Sequence, residues 1–254
     1  MRILSIALNT FRENLREKLL YNLLMFALLM IASSMVVSRL TMGDFDRLIL
    51  DIGLGSINIF GVLIAIFVGI GLVSKEIEKK TIYTIVSKPV PRYEFLVGKF
   101  GGLAITLCVN TIIMLAGLLL VLWAMKVPIE LVLFKAVGLI YLECIVVTAV
   151  ALLFSTFSSA TLSAIFTLAI YVIGHLSSDL RLFGKKFAGE VGQGFLNALY
   201  YVLPNLDRFN LKGHVIHHLE YMAVDMALTL TYGLVYTGLV LLLASLIFQK
   251  RDFQ

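Results

Sequence analysis

Six apolar runs dominate this sequence, each near the roughly 20 residues that an α-helix needs to cross the hydrocarbon core of a bilayer. They extend over residues 19–37, 57–73, 100–125, 134–154, 159–177 and 228–248. Lipid offers no partners to backbone amides, so a segment that crosses it must be helical or part of a closed barrel. Charged residues make up only 15% of the chain, against about 25% in soluble domains. The sequence predicts an all-α polytopic membrane protein with six transmembrane helices.

The hydrophilic segments between these runs are all too short to form a second domain. An independent soluble domain needs about 50 residues or more. We therefore expect residues 1–254 to form a single transmembrane domain. The net charge of +5 does not indicate nucleic-acid binding, because the basic residues flank the apolar runs, where they suit anionic lipid headgroups.

Two segments outside the runs have apolar residues at helical spacing. Residues 1–18 place Leu4, Leu8, Phe11 and Leu15 on one stripe and charged residues opposite, which predicts a helix lying in the membrane interface. Residues 178–227 contain apolar stretches that are too short to span. They predict external or re-entrant helices between the fifth and sixth spans.

The distribution of Lys and Arg predicts the orientation, since short cytoplasmic loops carry an excess of both. The N-terminal segment, the loop 74–99 and the C-terminal tail share this excess. With six spans, all three lie on the same side. We therefore expect a multi-pass protein of the cell membrane with both termini, the loop 74–99 and the turn 155–158 in the cytoplasm.

The loop 74–99, which we call the coupling loop, is the longest polar stretch on the predicted cytoplasmic side. Ile77, Thr81, Ile82 and Ile85 share one helical face, which predicts a short amphipathic helix. Pro89 and Pro91 then end it, because proline lacks the amide proton that a helix interior requires. The next helix can begin at Pro91, with Glu94 favourable in its first turn. The expected result is a stiff corner that leads into the third span.

The same loop resembles a known family. Its residues Glu76, Lys80-Thr81, Ser87-Lys88-Pro89, Arg92, Glu94 and Gly98-Lys99 are similar to the loop between the second and third spans of ABC export permeases of the type 2 class. The resemblance is strongest to the subgroup of nitrous-oxide-reductase-maturation and gliding-motility permeases. The order of the other elements also fits this family over almost the whole chain.

The resemblance implies a homodimer, or a heterodimer with a related permease, that works with two cytoplasmic ABC ATPase subunits. It implies that the partner chains hold ATP and Mg²⁺. The expected ATPase contacts in the coupling loop are Glu76, Glu78, Lys79, Lys80, Thr81, Ile82, Ile85, Pro89, Arg92 and Glu94. A second, smaller contact is implied at Ser155, Thr156, Phe157 and Ser158.

The lack of a phosphate-binding loop in the sequence also predicts that the ATPase is a separate chain. A phosphate-binding loop needs the pattern GxxxxGK[ST], whose backbone amides surround the phosphates. Here Gly98-Lys99 is followed by Phe100, and Tyr93 stands at the position of the first glycine. We expect this chain to have no enzymatic activity and no cofactor of its own.

Several residues within or near the spans are candidates for a substrate path or a metal site. Glu143 lies in the fourth run, where a carboxylate costs on the order of 3 kcal/mol, so it either contributes to a polar route or makes a structural hydrogen bond. Ser159, Ser163 and Thr167 recur every four residues and suit either close helix packing or a path. His214, His217 and His218 form a weak metal candidate, for which a solvated helix is the better interpretation. His175 is interpreted as structural.

The leading hypothesis is therefore the permease subunit of an ATP-driven exporter. An intramembrane enzyme is disfavoured because the sequence lacks HExxH, Gly-x-Ser-x-Gly and paired aspartates within the runs. A secondary transporter or channel would carry charges along several spans or two related halves with broken helices. Only Glu143 has this character, so both alternatives remain less favoured.

Overall fold

The computed structural model describes residues 2–40, 45–78, 91–187, 194, 200, 202–216 and 222–250. Within these residues the secondary structure is helical. The helices are α1 (Arg2–Asn14), α2 (Lys18–Leu40), α3 (Phe45–Glu78), α4 (Arg92–Met125), α5 (Leu131–Ser155), α6 (Ala160–Phe187), α7 (Lys212–Ile216) and α8 (Ala223–Lys250), with a 3₁₀ turn at Leu206–Phe209.

Among the described residues, six helices are long and apolar enough to cross a membrane: α2, α3, α4, α5, α6 and α8. This confirms the predicted fold class. The predicted spans differ from these helices mainly at their ends. The largest difference is in α3, which begins at Phe45 rather than near residue 57.

The extra turns at the start of α3 contain Asp46, Arg47 and Asp51, and because of these charges the sequence predicted a loop here. In the structure Asp51 has a partner, because its Oδ1 lies 2.8 Å from Lys212 Nζ on α7. A carboxylate paired in this way is compatible with a helix that continues beyond the apolar run.

The bundle is built around α3 and α5, which pack along each other. Most of α5 is buried, from Leu133 to Ser155. Glycines on α3 permit the close approach: a Cβ at Gly61 would lie 2.9 Å from Cys144 Sγ, and one at Gly69 would lie 3.6 Å from Ala151 Cβ. Small residues at such contacts let membrane helices pack tightly, where packing rather than the hydrophobic effect stabilises association.

Helix α1 packs against the first turns of α4. Asn14 Nδ2 donates a hydrogen bond to Thr106 Oγ1 over 3.0 Å, and Lys99 Nζ lies 3.3 Å from Glu13 Oε2. The contact face of α1 includes Ala7 and Thr10, which are buried. Leu4 and Leu8, on the predicted apolar stripe, stay exposed and available to lipid.

The contacts define two ends of the bundle. At one end, Phe95 near the start of α4 stacks on Phe248 near the end of α8, with ring centroids 6.2 Å apart, and Leu153 of α5 packs against this cluster. This end therefore also holds α1, both borders of the coupling loop and the turn after α5. The opposite end holds the Asp51–Lys212 pair and the 3₁₀ turn.

The Asp51–Lys212 pair is expected to contribute little to stability, because side chains exposed by 51% and 34% are screened by water. Replacing Asp51 with asparagine should lower the free energy of unfolding by less than about 1 kcal/mol, with the difference shrinking at high salt. Thermal unfolding in detergent would measure this, with Asp46→Asn on the same helix as the control. A loss of several kcal/mol at Asp51 would show that the pair is desolvated.

Candidate functional site

The predicted coupling contacts are only partly described. Lys79, Lys80, Thr81, Ile82, Ile85 and Pro89 lie outside the described residues. The backbone of Glu76 and Glu78 belongs to the last turns of α3, and Arg92 opens α4. The two membrane helices therefore continue into the coupling loop from both sides, and each border is helical.

The start of α4 agrees with the proline pattern of the sequence. Pro91 is the residue that caps the helix, with φ −61° and ψ 140°, so it is extended and its missing amide leaves no helical bond unmade. Glu94 lies in the first turn, where its negative charge suits the positive end of the helix dipole. The sequence chemistry thus fixes where the loop ends and the third span begins.

The predicted second contact forms a tight turn between α5 and α6. Ser155 and Thr156 are buried, and their hydroxyls donate to the carbonyls of Leu152 and Leu153 over 2.8 and 2.6 Å. Phe157 projects outward with 47% of its surface exposed. Ser158 is half-buried, so Phe157 is the member of this set that presents most of itself to a partner.

A polar network joins α3, α5 and α6 around Glu143, which is completely buried. Glu143 Oε2 accepts a hydrogen bond from Asn58 Nδ2 over 2.7 Å, and Asn58 Oδ1 accepts one from the Tyr171 hydroxyl, also over 2.7 Å. Glu143 Oε1 lies 3.4 Å from His175 Nε2 without hydrogen-bond geometry. One carboxylate thus connects three spans.

The network lies deep within the bundle. Glu143 is twelve residues from each end of α5 (143 − 131 = 12 and 155 − 143 = 12), or about 18 Å at 1.5 Å per residue. The α6 members continue a stripe that the sequence partly revealed: Ser163, Thr167, Tyr171 and His175 recur every four residues. Ser163 and Thr167 are buried, and Thr167 donates to the carbonyl of Ser163, whereas Ser159 is exposed.

A cavity of about 180 Å³ lies beside the network, toward the end of the bundle that holds the Asp51–Lys212 pair. Asn58, Tyr171 and His175 line it together with aliphatic side chains of α3 and α5, and Lys212 lies at the same cavity. An apolar wall with a few polar groups is typical of small-molecule sites. The structure therefore places a cavity against the side chains that surround Glu143, and leaves Ser159 outside both the network and the cavity lining.

The histidine cluster is only partly described. His214 lies on α7 and is half-buried, while His217 and His218 are outside the described residues. Within the part of the chain that the structure describes, no group of three His, Cys, Asp or Glu side chains could hold a metal ion. The metal candidate gains no support from this geometry.

Sequence reasoning identified Glu143 but missed its partners. Asn58 lies in an ordinary apolar run, and nothing in the neighbouring sequence predicts that it donates a hydrogen bond to a carboxylate 85 positions away. The signal that was available is the four-residue spacing on α6, which continues from Thr167 to Tyr171 and His175. Following it would have placed His175 on the same face as the candidate path.

Comparison with known proteins gives one family. A family model described as "ABC-2 family transporter protein" matches residues 4–253, which is nearly the whole chain. No curated protein gives a significant match to the sequence.

Proposed function

We infer that this chain, which belongs to the ABC-2 family of transporter proteins, couples ATP hydrolysis by a separate cytoplasmic chain to the export of a substrate. The family makes it the membrane-embedded permease subunit of an ABC transporter. The observation that carries the coupling proposal is that the two helices bordering the coupling loop, α3 and α4, both belong to the buried centre of the bundle. A force on this loop reaches that centre through continuous helices.

Helix α1 extends the proposed mechanical path. It is held to α4 by the Asn14–Thr106 hydrogen bond and the Glu13–Lys99 ion pair, within four turns of the loop border. Lys99 is only 3% exposed and its ammonium lies 5.6 Å from the Phe95 ring centroid, so the lysine side of this contact is shielded from water, whereas the Glu13 side chain is 41% exposed. In our proposal α1 lies in the cytoplasmic membrane interface and moves with the start of α4.

The proposed cytoplasmic face is the end of the bundle that holds the coupling loop borders. The turn after α5 lies at the same end, which allows Phe157 to serve as the second ATPase contact. Both termini then lie in the cytoplasm, and the 3₁₀ turn and α7 face outward. The subgroup resemblance remains our proposal, as does assembly into a homodimer or a heterodimer with a related permease, whose ATPase partners bind ATP and Mg²⁺.

The proposed substrate path passes the network of Glu143. A buried ionisable residue at this depth is costly, and such residues in membrane proteins commonly mark substrate or ion routes. The cavity beside Asn58, Tyr171 and His175 gives that route a place to hold a ligand. Ser163 and Thr167 continue the same α6 face toward the cytoplasmic end.

Charge reversal in the coupling loop tests the proposal. Glu76→Lys combined with Glu78→Lys is expected to reduce the amount of co-expressed ABC ATPase that copurifies with the chain at least tenfold, because the change reverses the charge that this element presents to its partner. The measurement is the ratio of the two chains after affinity purification, together with ATP hydrolysis in lipid nanodiscs.

The matched control is Glu130→Lys, a charge reversal just before α5 at the opposite end of the bundle. It should leave the ratio of chains unchanged. If the double variant retains the ATPase and its hydrolysis rate, the coupling loop is not the docking element. If the unmodified chain never binds an ATPase and transports alone, the proposed function is wrong.

A further inference from the structure

The carboxylate of Glu143 is incompletely satisfied. Its Oε2 accepts from Asn58, but Oε1 is buried and has no hydrogen bond. The nearest basic side chain is His175, whose Nε2 lies 3.4 Å away, beyond the usual 2.7–2.9 Å of a charge-assisted bond. A buried acceptor without a donor is costly, so this oxygen has the chemistry to attract one.

The resident histidine is replaceable in this position. Its other ring nitrogen, Nδ1, lies 3.2 Å from the carbonyl of Tyr171 on its own helix, and that carbonyl can only accept. His175 is 26% exposed whereas Glu143 is fully buried, so His175 stands between the carboxylate and the cavity. A ligand in the cavity meets His175 first and must displace its ring to reach Oε1.

The described basic residues near the cavity do not act as the missing donor to Glu143 Oε1. Lys212, the lysine at the cavity, is engaged with Asp51 at 2.8 Å. Arg208 of the neighbouring 3₁₀ turn lies over the Tyr232 ring, 5.1 Å from its centroid. Both cations thus have other partners, and a cationic ligand meets an acceptor that the described basic residues do not fill.

The cavity limits the size of the ligand. Its volume of about 180 Å³ is close to that of protein cavities that hold a benzene ring. Leu54, Ile140 and Leu211 supply apolar wall, while Asn58 and Tyr171 supply polar groups near Glu143. The shape suits an apolar body of ring size with one hydrogen-bond donor at its inner end.

We propose that this cavity binds a protonated amine on a compact apolar body, with the ammonium group displacing the His175 ring and supplying the donor that Glu143 Oε1 lacks. The inference rests on the proposed function, since it assigns a substrate class to the same path. A bound ammonium favours the ionised form of the Glu143 carboxyl and gains a charge-assisted bond to it, whereas a carboxylate ligand meets repulsion and an alcohol donates only a neutral bond.

Binding of a size-matched series tests this directly. The full chain in lipid nanodiscs is titrated with benzylammonium, benzyl alcohol and benzoate while its thermal unfolding midpoint is recorded, since a ligand of the folded state raises that midpoint. Benzylammonium should raise it in a saturable manner, with a dissociation constant at least tenfold lower than that of benzyl alcohol. Benzoate should have no effect. Equal effects of all three compounds, or none, would overturn the proposal.

Two variants separate a ligand site from a structural role. Glu143→Gln should weaken benzylammonium binding at least tenfold, and Glu130→Gln, the same change outside the network, should not. His175→Ala should strengthen binding several-fold, because the ring that stands between the cavity and the carboxylate is removed. If Glu143→Gln does not fold, the His175→Ala result still decides, since unchanged or weaker binding there contradicts the replacement of His175.

The same measurement distinguishes this inference from the proposed function. Amine binding uses the permease chain alone, whereas the coupling proposal is tested by copurification of an ATPase. An ATPase that copurifies while benzylammonium fails to bind rejects the amine site and leaves the permease role standing. If the chain binds the amine but no ATPase copurifies with it, the amine site stands and ATP-driven coupling is rejected.

Discussion

Replacing Gly102 with alanine is expected to push α1 away from α4 and to destabilise the folded chain. A Cβ at this position would lie 2.5 Å from Thr10 Cβ and 2.6 Å from the backbone oxygen of Ala7. Backbone atoms cannot rotate away as a side-chain end can, so the two helices must separate. Overpacking of this kind costs about 1–3 kcal/mol, and the buried Asn14–Thr106 bond is lost with it.

The sharpest control is the same substitution at Gly138 on α5, where a Cβ would meet nothing within 4 Å. Gly138→Ala should be neutral or stabilising by up to about 1 kcal/mol, because alanine is the better helix former. Size-exclusion profiles and thermal unfolding midpoints in one detergent compare the two variants. Equal midpoints for Gly102→Ala and Gly138→Ala would show that α1 is not packed against α4 in the membrane.

A smaller separation of α1 from α4 is expected to affect coupling. Gly98 lies on the same contact, where a Cβ would approach Ile6 to 2.7 Å. The nearest backbone atom is the Ile3 carbonyl oxygen at 3.2 Å, compared with 2.6 Å for the Ala7 oxygen at Gly102. A Gly98→Ala chain therefore has more room to adjust than Gly102→Ala, and is the better variant in which to measure coupling once α1 is loosened.

The spans were predictable because their signal is local. A run of about 20 apolar residues identifies a membrane helix without knowledge of its neighbours. The first turns of α3 were not predictable, since their charged residues hide the fact that Ile49, Leu50 and Leu54 are buried in the core of the bundle. That burial exists only after the chain has folded.

The face of α1 that packs on α4 was not predicted, for a different reason. The periodicity of Leu4 and Leu8 marked an apolar stripe, and in a soluble protein such a stripe faces the core. In a membrane protein lipid can cover leucines, so the face that packs on protein is the one with small and polar residues. Ala7, Thr10 and Asn14 form that face, opposite the glycines of α4.

The candidate site was also predictable only in part. Glu143 was identifiable alone because a carboxylate in an apolar run is expensive wherever its partners lie. Its partners were not, because an asparagine or a tyrosine is tolerated in a span without special meaning. Only the tertiary arrangement shows that Asn58 bridges Glu143 and Tyr171.

A double-mutant cycle on Asn58 and Glu143 is expected to show strong coupling. Asn58→Leu removes the donor to Glu143 Oε2 and the acceptor of the Tyr171 hydroxyl, which leaves a fully buried carboxylate without a hydrogen bond. Removing the partner of a buried polar group costs about 1–3 kcal/mol, and more when the group left behind is charged. Glu143→Leu alone leaves the neutral Asn58 amide without its acceptor, and should cost about 1–3 kcal/mol.

The double variant Asn58→Leu/Glu143→Leu should be more stable than the sum of the two losses predicts, by about 1–3 kcal/mol, because the second change removes the group that the first left unpaired. Reversible unfolding in mixed micelles measures all four corners of the cycle. The reference cycle combines Asn58→Leu with Asp51→Asn, whose partner is Lys212 rather than the network, and should be additive. Additivity in both cycles would mean that Asn58 and Glu143 do not bond in the membrane, and the polar network would then have no role in joining the three helices.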